Sequence, residues 1–401
     1  MVNLYDLSLA ELTEFLAGLG ERPYRARQLY AWLYGKGVND FELMTDISGT
    51  VKEKLAAEAR TGGLVLAETL KSKDGQTTKY LFGLEDEGYI ETVFMKYKDR
   101  NSVCISTQAG CRMGCSFCAS GADGLMRNLS PSEMALQVIL SEREAGALTK
   151  NIVLMGVGEP LDNYGSVKKF IENITDDHGR DLSRRAITLS TCGLVPGIEK
   201  MARELPQVNL AVSLHAPNDA LRAKIMPITK KYGVTEVVDA TRKHYEKTRR
   251  RPTFEYALID GFNDSADHAR DLASLLKGMN CLVNLIPLNK HDGKEHNRDG
   301  SFYVREQQHN GDGSFYVHEQ QHNGDGSFYV REQQHNGDGS SYVRARTQLE
   351  PSPLCLRSGS PAERAEQFRE ELGRRHVPAT VRKSLGEDIE AACGQLRLRR
   401  K

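Results

Sequence analysis

From Ser102 onward the chain alternates between two hydrophobic periodicities, and this alternation restricts its fold more than any other feature. SVCIST, NIVLMG, AITLST, VNLAVSLH, TFEYALI and LVNLIP begin at residues 102, 151, 186, 208, 253 and 282. All are short runs of β-branched and apolar residues, bounded by turn formers. Between them lie segments with apolar residues at helical spacing, such as PSEMALQVILSEREAG from Pro131 and SADHARDLASLLKGM from Ser265. Strands that alternate with helices predict a mostly parallel sheet covered by helices, as a barrel or an open α/β fold. A last strand-like piece, ATVRKS from Ala379, precedes the closing EDIEAACGQLRLRRK.

Upstream the pattern differs. In LAELTEFLAGLG, Leu9, Leu12, Phe15, Leu16 and Leu19 share one helical face, with Ser8 as the expected N-cap and Gly18 and Gly20 as the stop. PYRARQLYAWLYGKG reads as a second amphipathic helix carrying Arg25, Arg27 and Trp32. Residues 1–62 are therefore expected to form a helical domain, either packed on the main body or using its arginines to bind RNA. Residues 63–100 hold three strand-like runs, LVLAETL, TKYLFGL and YIETVFM, separated by Asp74-Gly75 and Asp86-Glu87-Gly88 turns, and predict a small β extension. The 54 Lys and Arg balance the 54 Asp and Glu, which excludes a globally basic nucleic-acid coat but not a local basic face. No run approaches the roughly 20 apolar residues of a membrane span. The opening MVNLYDLSLAELTEFL lacks a signal peptide's basic start, so a cytoplasmic protein is expected.

One stretch departs from the alternation. GSFYVREQQHNGD at Gly300 recurs almost unchanged at Gly313 and Gly326 and in decayed form at Gly339, a period of thirteen residues. Each unit has few apolar side chains, so this tandem repeat (298–345, within an inserted loop 291–360) is expected to be mobile or weakly ordered. Its Asn-Gly and Asp-Gly turns also allow hairpin-like structure. His318-Glu319-Gln320-Gln321-His322 matches the zinc-protease H-E-x-x-H pattern, but Arg305 and Arg331 replace His318 in the neighbouring copies. The match arises within a repeat and is not read as a zinc site.

Eight cysteines occur, at 104, 111, 115, 118, 192, 281, 355 and 393. Cys111, Cys115 and Cys118 form C-x3-C-x2-C directly after a predicted strand, with Gly110 and Gly114 letting the backbone wrap. Three soft ligands this close suit iron–sulfur or zinc. A structural zinc site needs four ligands, and only Cys104 is near enough in sequence to be the fourth. Three ligands on a cluster would leave one iron open. The next strand ends in Gly156-Val-Gly158-Glu159-Pro160, where Leu161 breaks a dinucleotide fingerprint. Three further strands end in Ser190-Thr191-Cys192-Gly193, Ser213-Leu214-His215 and Pro287-Leu288-Asn289. Ligand sites of parallel α/β sheets gather at such strand ends. Cys192 and Cys281 read as small buried apolar residues.

The cluster loop, with Phe117 before its last cysteine, resembles the signature of the radical S-adenosylmethionine superfamily. The wider series is YIETV, the Cys104 strand, the cluster loop, GVGEPLDNY, LSTCGLVP, AVSLHAPND, NLIPLN and DIEAACGQL. In that order it resembles the dual-specificity rRNA/tRNA adenine-carbon-2 methyltransferases of that superfamily, from residue 1 to about 290 and again from Ala362. The resemblance implies an α/β fold, a partial (β/α)6 barrel core over 101–290 and 361–401 with the helical domain and β extension attached. It implies a 4Fe–4S cluster on Cys111, Cys115 and Cys118. S-adenosylmethionine would lie against Gly158, Glu159, Ser190, Ser213, Leu214, His215 and Asn289, Glu159 offering a carboxylate to its ammonium. It further implies that Cys393 is methylated and carries the methyl carbon to adenine, that Cys104 closes a transient disulfide with Cys393, and that Glu91 accepts a proton. Two molecules of S-adenosylmethionine would be used per methyl group.

The implied partners are 23S rRNA and tRNA and an electron donor such as flavodoxin or ferredoxin, with no membrane and a monomeric enzyme. Arg184-Arg185, Lys230-Lys231, Arg249–Arg251 and the tail Arg397 to Lys401 are candidate phosphate contacts. The carbon-8 rRNA methyltransferases share the cluster and both cysteines and are the nearest alternative. A non-catalytic cluster protein that binds RNA is the alternative from another class.

Overall fold

The computed structural model describes residues 1–86, 88–121, 124–289, 359–382 and 385–396, with four strands inside the insertion. Cys355 and the basic tail from Arg397 to Lys401 lie outside the described residues, as do the turns of the repeat. The described chain divides into two units, residues 1–289 with 358–401, and residues 290–357.

The first unit is built on one ten-stranded sheet. In chain order its strands are β1 (Leu64–Lys71), β2 (Thr77–Leu84), β3 (Tyr89–Lys96), β4 (Asn101–Cys104) and β5 (Asn151–Leu154). They continue as β6 (Ile187–Thr191), β7 (Asn209–Ser213), β8 (Thr253–Leu258), β9 (Leu282–Pro287) and β10 (Ala379–Val381). Each strand pairs with its predecessor in sequence, and β1 and β10 are the two edges, so the sheet stays open. From β4 to β10 every pairing is parallel. The expected extension, β1 to β3, joins antiparallel and continues the same sheet through β3 and β4.

Parallel strands covered on both faces bury both sets of side chains, and the two sets here differ. In β8, Phe254, Tyr256 and Leu258 are buried on one face, with Tyr256 against Phe368 (centroids 5.2 Å apart), while Glu255 and Ala257 alternate onto the other and line a cavity. Ser190 of β6 and Ser213 of β7 face the same cavity.

Helices α1 (Leu9–Gly18), α2 (Tyr24–Tyr30), α3 (Gly49–Glu58), α4 (Pro131–Ala145), α5 (Tyr164–Ile174) and α6 (Val195–Glu204) begin the helical series. It continues with α7 (Asp219–Ile225), α8 (Val234–Thr248), α9 (Ala266–Leu275) and α10 (Ala362–Arg374). Local chemistry sets their ends. Ser8 and Glu11 form a capping box on α1, as do Ser130 and Glu133 on α4, which closes at Gly146 in the left-handed region. The second predicted helix keeps α-geometry only to Tyr30 and widens into a π turn over Ala31–Gly35, which buries Trp32, Leu33 and Tyr34.

The N-terminal helices make contacts with the main body. Tyr30 Oη donates to Asn173 O (3.3 Å), Asn173 Nδ2 donates to Leu7 O (3.2 Å), and Lys169 pairs with Glu11 (2.8 Å). Arg25 is engaged by Gln28 and the Asp46 carbonyl, whereas Arg27 is exposed.

In the second unit each repeat copy supplies one strand: Phe302–His309, Phe315–His322, Phe328–His335 and Ser341–Arg346 pair antiparallel in chain order. The strands follow the hairpin pattern that the turn residues allow, and the near-identical units repeat one register: Phe302 opposes His322 and Phe315 opposes His335. His318–His322 lies in a strand, not in the helix that the zinc-protease motif requires.

Candidate active site

The cluster loop leaves the sheet through a small hairpin in which Gln108–Gly110 pairs with Leu125–Asn128. Gly110 sits at φ 78°, and a Cβ there would lie 2.0 Å from Gly124 O, so glycine is required. Cys111 N donates to Gly124 O (2.8 Å), Cys118 N to Cys115 O (3.1 Å) and Ser116 N to Ile225 O (3.0 Å), which wraps the loop against α7. Cys111, Cys115 and Cys118 all line one cavity. Burial pushes the Cys111 thiol up to about 12 and raises Cys115 and Cys118 as well; such thiols ionise on binding metal. Three soft thiol ligands on one cavity wall suit an iron–sulfur cluster with one iron left open.

The C-terminal ends of the strands complete the cavity wall. Gly158, Glu159, Ser190, Ser213, His215 and Asn289 all border it. Leu214 does not border it; it is buried between Ser213 and His215, its N–H donating to Glu255 O (3.1 Å). The sequence offered exposed backbone and the Glu159 carboxylate at the end of β5, and the carboxylate has two backbone partners. Oε2 accepts from Cys192 N (2.7 Å) and Oε1 from Leu161 N (3.0 Å), so it ties the ends of β5 and β6 together. His215, at φ 57°, accepts from Ala257 N on Nδ1 (2.9 Å) and meets Phe117 edge-on at 4.8 Å. Burial, aided by the Arg222 charge, drops its pKa to about 3, so the ring is neutral.

The C-terminal segment folds back over this cavity. Ala119 N donates to Gly394 O (2.8 Å), Ser120 Oγ to Leu396 O (2.6 Å) and Asn289 Nδ2 to Cys393 O (3.2 Å). Cys393 therefore lines the cluster cavity. It also lines a second, smaller one with Cys104, Val93, Met95 and Leu385. Met155, Ile286, Asn289 and Arg382 border both spaces. Cys104 and Cys393 are free thiols. Burial raises Cys104 to about 12, and Cys393 adds to that rise while Arg382 opposes it.

Glu91 borders neither cavity. It is buried on β3 on the same face as Val93, which pairs with Cys104, and forms an ion pair with Lys79 (3.2 Å). Lys79 Nζ also donates to Glu390 O (3.0 Å) in the Cys393 segment. The sequence reading overlooked Lys79, Arg222, Glu255 and Arg382. Glu255 was visible as a lone acid inside the apolar run TFEYALI. The other three are basic residues in amphipathic or edge segments, where a cation carries no local signal. Cys281 is buried as expected, and Cys192 is buried too but borders the cavity.

Residues 2–61 match the family described as the ribosomal RNA large subunit methyltransferase N-terminal domain, and residues 105–273 match the radical SAM superfamily. The probable dual-specificity RNA methyltransferase RlmN of Desulforamulus reducens is 41% identical over 99% of this chain and 96% of its own length. Its namesake in a Thermoanaerobacter species is 43% identical over 99% of this chain and 98% of its own length. Among solved structures, a radical SAM methyltransferase from Sphaerobacter thermophilus superposes with a TM-score of 0.81 at 40% identity, covering 99% of both chains.

Proposed function

The chain belongs to the RlmN family of dual-specificity radical SAM RNA methyltransferases, and from that premise we propose that it methylates carbon 2 of an adenosine in 23S rRNA and in certain tRNAs, with Cys393 carrying the methyl carbon. The superfamily works with a 4Fe–4S cluster and S-adenosylmethionine. Cys111, Cys115 and Cys118 are the three thiols suited to hold the cluster. Held there, the cluster with S-adenosylmethionine would supply a 5′-deoxyadenosyl radical by one-electron cleavage of the sulfonium.

The chain's own residues do the rest. The engagement of the Glu159 carboxylate leaves the carbonyls around Gly158 and Glu159 to take the ammonium, with Ser190, Ser213, Leu214, His215 and Asn289 around the remainder of the cofactor. Carbon 2 of adenine has no lone pair for a sulfonium methyl, so the carbon has to arrive activated on a protein sulfur. Cys393 takes the methyl by displacement from one S-adenosylmethionine, releasing S-adenosylhomocysteine, and presents the S-methyl group to the cluster cavity. There it would give up one hydrogen to the 5′-deoxyadenosyl radical from a second S-adenosylmethionine and so become able to add to carbon 2. After the methylene has bonded to carbon 2, the adduct would return its unpaired electron to the cluster and lose the carbon-2 proton. The Cys104 thiolate then attacks the Cys393 sulfur, forming the disulfide and breaking the S–CH2 bond, whose electron pair stays on the carbon and takes up a proton to give the methyl product. Glu91, held by Lys79 beyond both cavities, can accept the carbon-2 proton once the Cys393 segment swings out. Two S-adenosylmethionine molecules are used per methyl group. The target base has to be unstacked to enter. We assign a flavodoxin- or ferredoxin-like donor, a monomeric enzyme and a cytoplasmic setting.

The observation that supports this reading most is the position of Cys393 between the cluster cavity and the Cys104 cavity. Cys393→Ala should abolish RNA methylation while the reconstituted cluster keeps its visible absorbance. Cys104→Ala should accumulate a covalent protein–RNA species visible by denaturing gel. Undiminished methylation by Cys393→Ala would overturn the proposal. The appearance of 8-methyladenosine in digested RNA would overturn the carbon-2 assignment.

A further inference from the structure

Arg222 on α7 is fully buried and is the largest side chain so enclosed among the described residues. Its Nε donates to Leu214 O (3.0 Å). Nη2 donates to Cys192 O (2.6 Å) and Ser213 O (3.0 Å), and Nη1 reaches Thr229 Oγ1 (3.2 Å) and Tyr232 O (3.5 Å). Every one of these acceptors is neutral. Among the described residues no carboxylate forms an ion pair with the guanidinium. Asp219, a turn earlier, acts on it only through space and spends its Oδ1 on Val234 N (2.6 Å).

A guanidinium keeps its charge in proteins. Burying it without an anion is unfavourable, and such charges are normally paired. The groups whose negative charge would act on it most are Cys192 and Cys115, both in the wall of the cluster cavity. The same α7 supports the cluster loop through Ile225 O, and Gly114 lies beside Pro227. A 4Fe–4S core held by three thiolates is an anion, and it gains one further negative charge on reduction.

We propose that Arg222 is the buried counter-charge of the cluster site, holding the Cys192, Ser213 and Leu214 carbonyls in place while it stabilises the negative charge gained on reduction. This rests on the reading that Cys111, Cys115 and Cys118 hold a 4Fe–4S cluster. Arg222 is thus a positioning residue with an electrostatic effect. The fold is left with an excess positive charge that the bound cluster neutralises.

The test is an anaerobic reconstitution of the full chain as wild type, R222K and R222M, without RNA. It is followed by iron and sulfide analysis and by a potentiometric titration read by electron paramagnetic resonance. R222M should bind the cluster with a midpoint potential shifted to more negative values, whereas R222K should stay close to wild type. The rise in melting temperature on cluster binding should also shrink in R222M. A wild-type potential in R222M would overturn the inference while leaving the cluster reading intact. Absence of a 4Fe–4S signal in the wild type would defeat the cluster reading itself. Should R222M fail to fold, R222Q, which keeps donors for the carbonyls without the charge, takes the same readout. If R222Q also fails to fold, Arg222 is a purely structural residue and the inference is overturned.

Discussion

His244 sits inside α8 with almost no exposed surface, and its Nε2 has no hydrogen-bond partner. Burial alone lowers its pKa from 6.5 to about 4. The sign follows from proton binding: below pH 6.5 the unfolded chain takes up a proton that the folded chain refuses until about pH 4. The stability that this histidine contributes is complete above its unfolded pKa and is lost as pH falls toward the folded one. Between pH 7.5 and 5.5 the loss amounts to about 1.4 kcal/mol, one pKa unit of linkage. Buried Glu142, Glu159 and Glu255 have raised values and push the other way, so the wild-type profile alone is a mixture. The clean measurement is a difference. His244→Gln cannot protonate, and its urea unfolding free energy should fall by about 1.4 kcal/mol less than wild type over that interval. Parallel pH profiles for the two proteins would contradict the assignment. Residues like His244 were invisible in the sequence, because burial is decided by which helix face meets the sheet.

Elements were more legible than residues because their causes are local. The alternation after Ser102 located β5 to β9, and the helical spacing from Pro131 located α4, whose ends the structure closes with a Ser130–Glu133 capping box and Gly146. Strand ends were misjudged where β-prone residues leave the ladder. SVCIST runs past Cys104, but Ile105 and Thr107 bond to the Val153 and Val157 carbonyls on the way to the cluster loop. The approach of the Cys393 segment to β2 was not legible at all, since residues some three hundred apart share no pattern. Lys79 makes that junction, pairing with Glu91 and donating to Glu390 O, while Lys73 N donates to Asp388 Oδ2 (2.9 Å). Lys79→Met removes one partner of a buried pair and should cost about 3–5 kcal/mol by leaving Glu91 as an uncompensated charge. Lys79→Met combined with Glu91→Leu should recover much of that loss in chemical unfolding, because the buried carboxylate left without its lysine is gone. The double variant should still load its cluster but show increased protease cleavage near residue 390, where the segment has lost its tether. If the single and double variants are equally unstable, the ion pair is not what holds this junction.

At the scale of the whole molecule, the question is how an inserted unit of this length leaves a catalytic core able to close. The answer lies where the insertion leaves and rejoins the sheet. Leu288 N and Ser360 N both donate to the same carbonyl, Leu258 O, at 3.1 and 3.2 Å, and Ile259 bridges to Gly359. A Cβ on Gly359 would lie 2.5 Å from Leu288 O, so the two ends are in backbone contact. The core thus holds both ends of the insertion beside Asn289. Closure entropy grows slowly with loop length, about 0.6 kcal/mol per doubling. Deleting Gly300 to Asp338 removes three copies of the repeat and should therefore change unfolding free energy by less than about 1 kcal/mol. The shortened protein should stay soluble, load its cluster and produce 5′-deoxyadenosine from S-adenosylmethionine at the wild-type rate. Gly359→Ala, a single methyl at the junction, should by contrast destabilise the core more than the loss of thirty-nine residues, because it separates the ends that the sheet holds together. Loss of soluble protein on deletion would mean that the repeat unit, and not the Leu258 junction, keeps the end of β9 and the start of α10 in place.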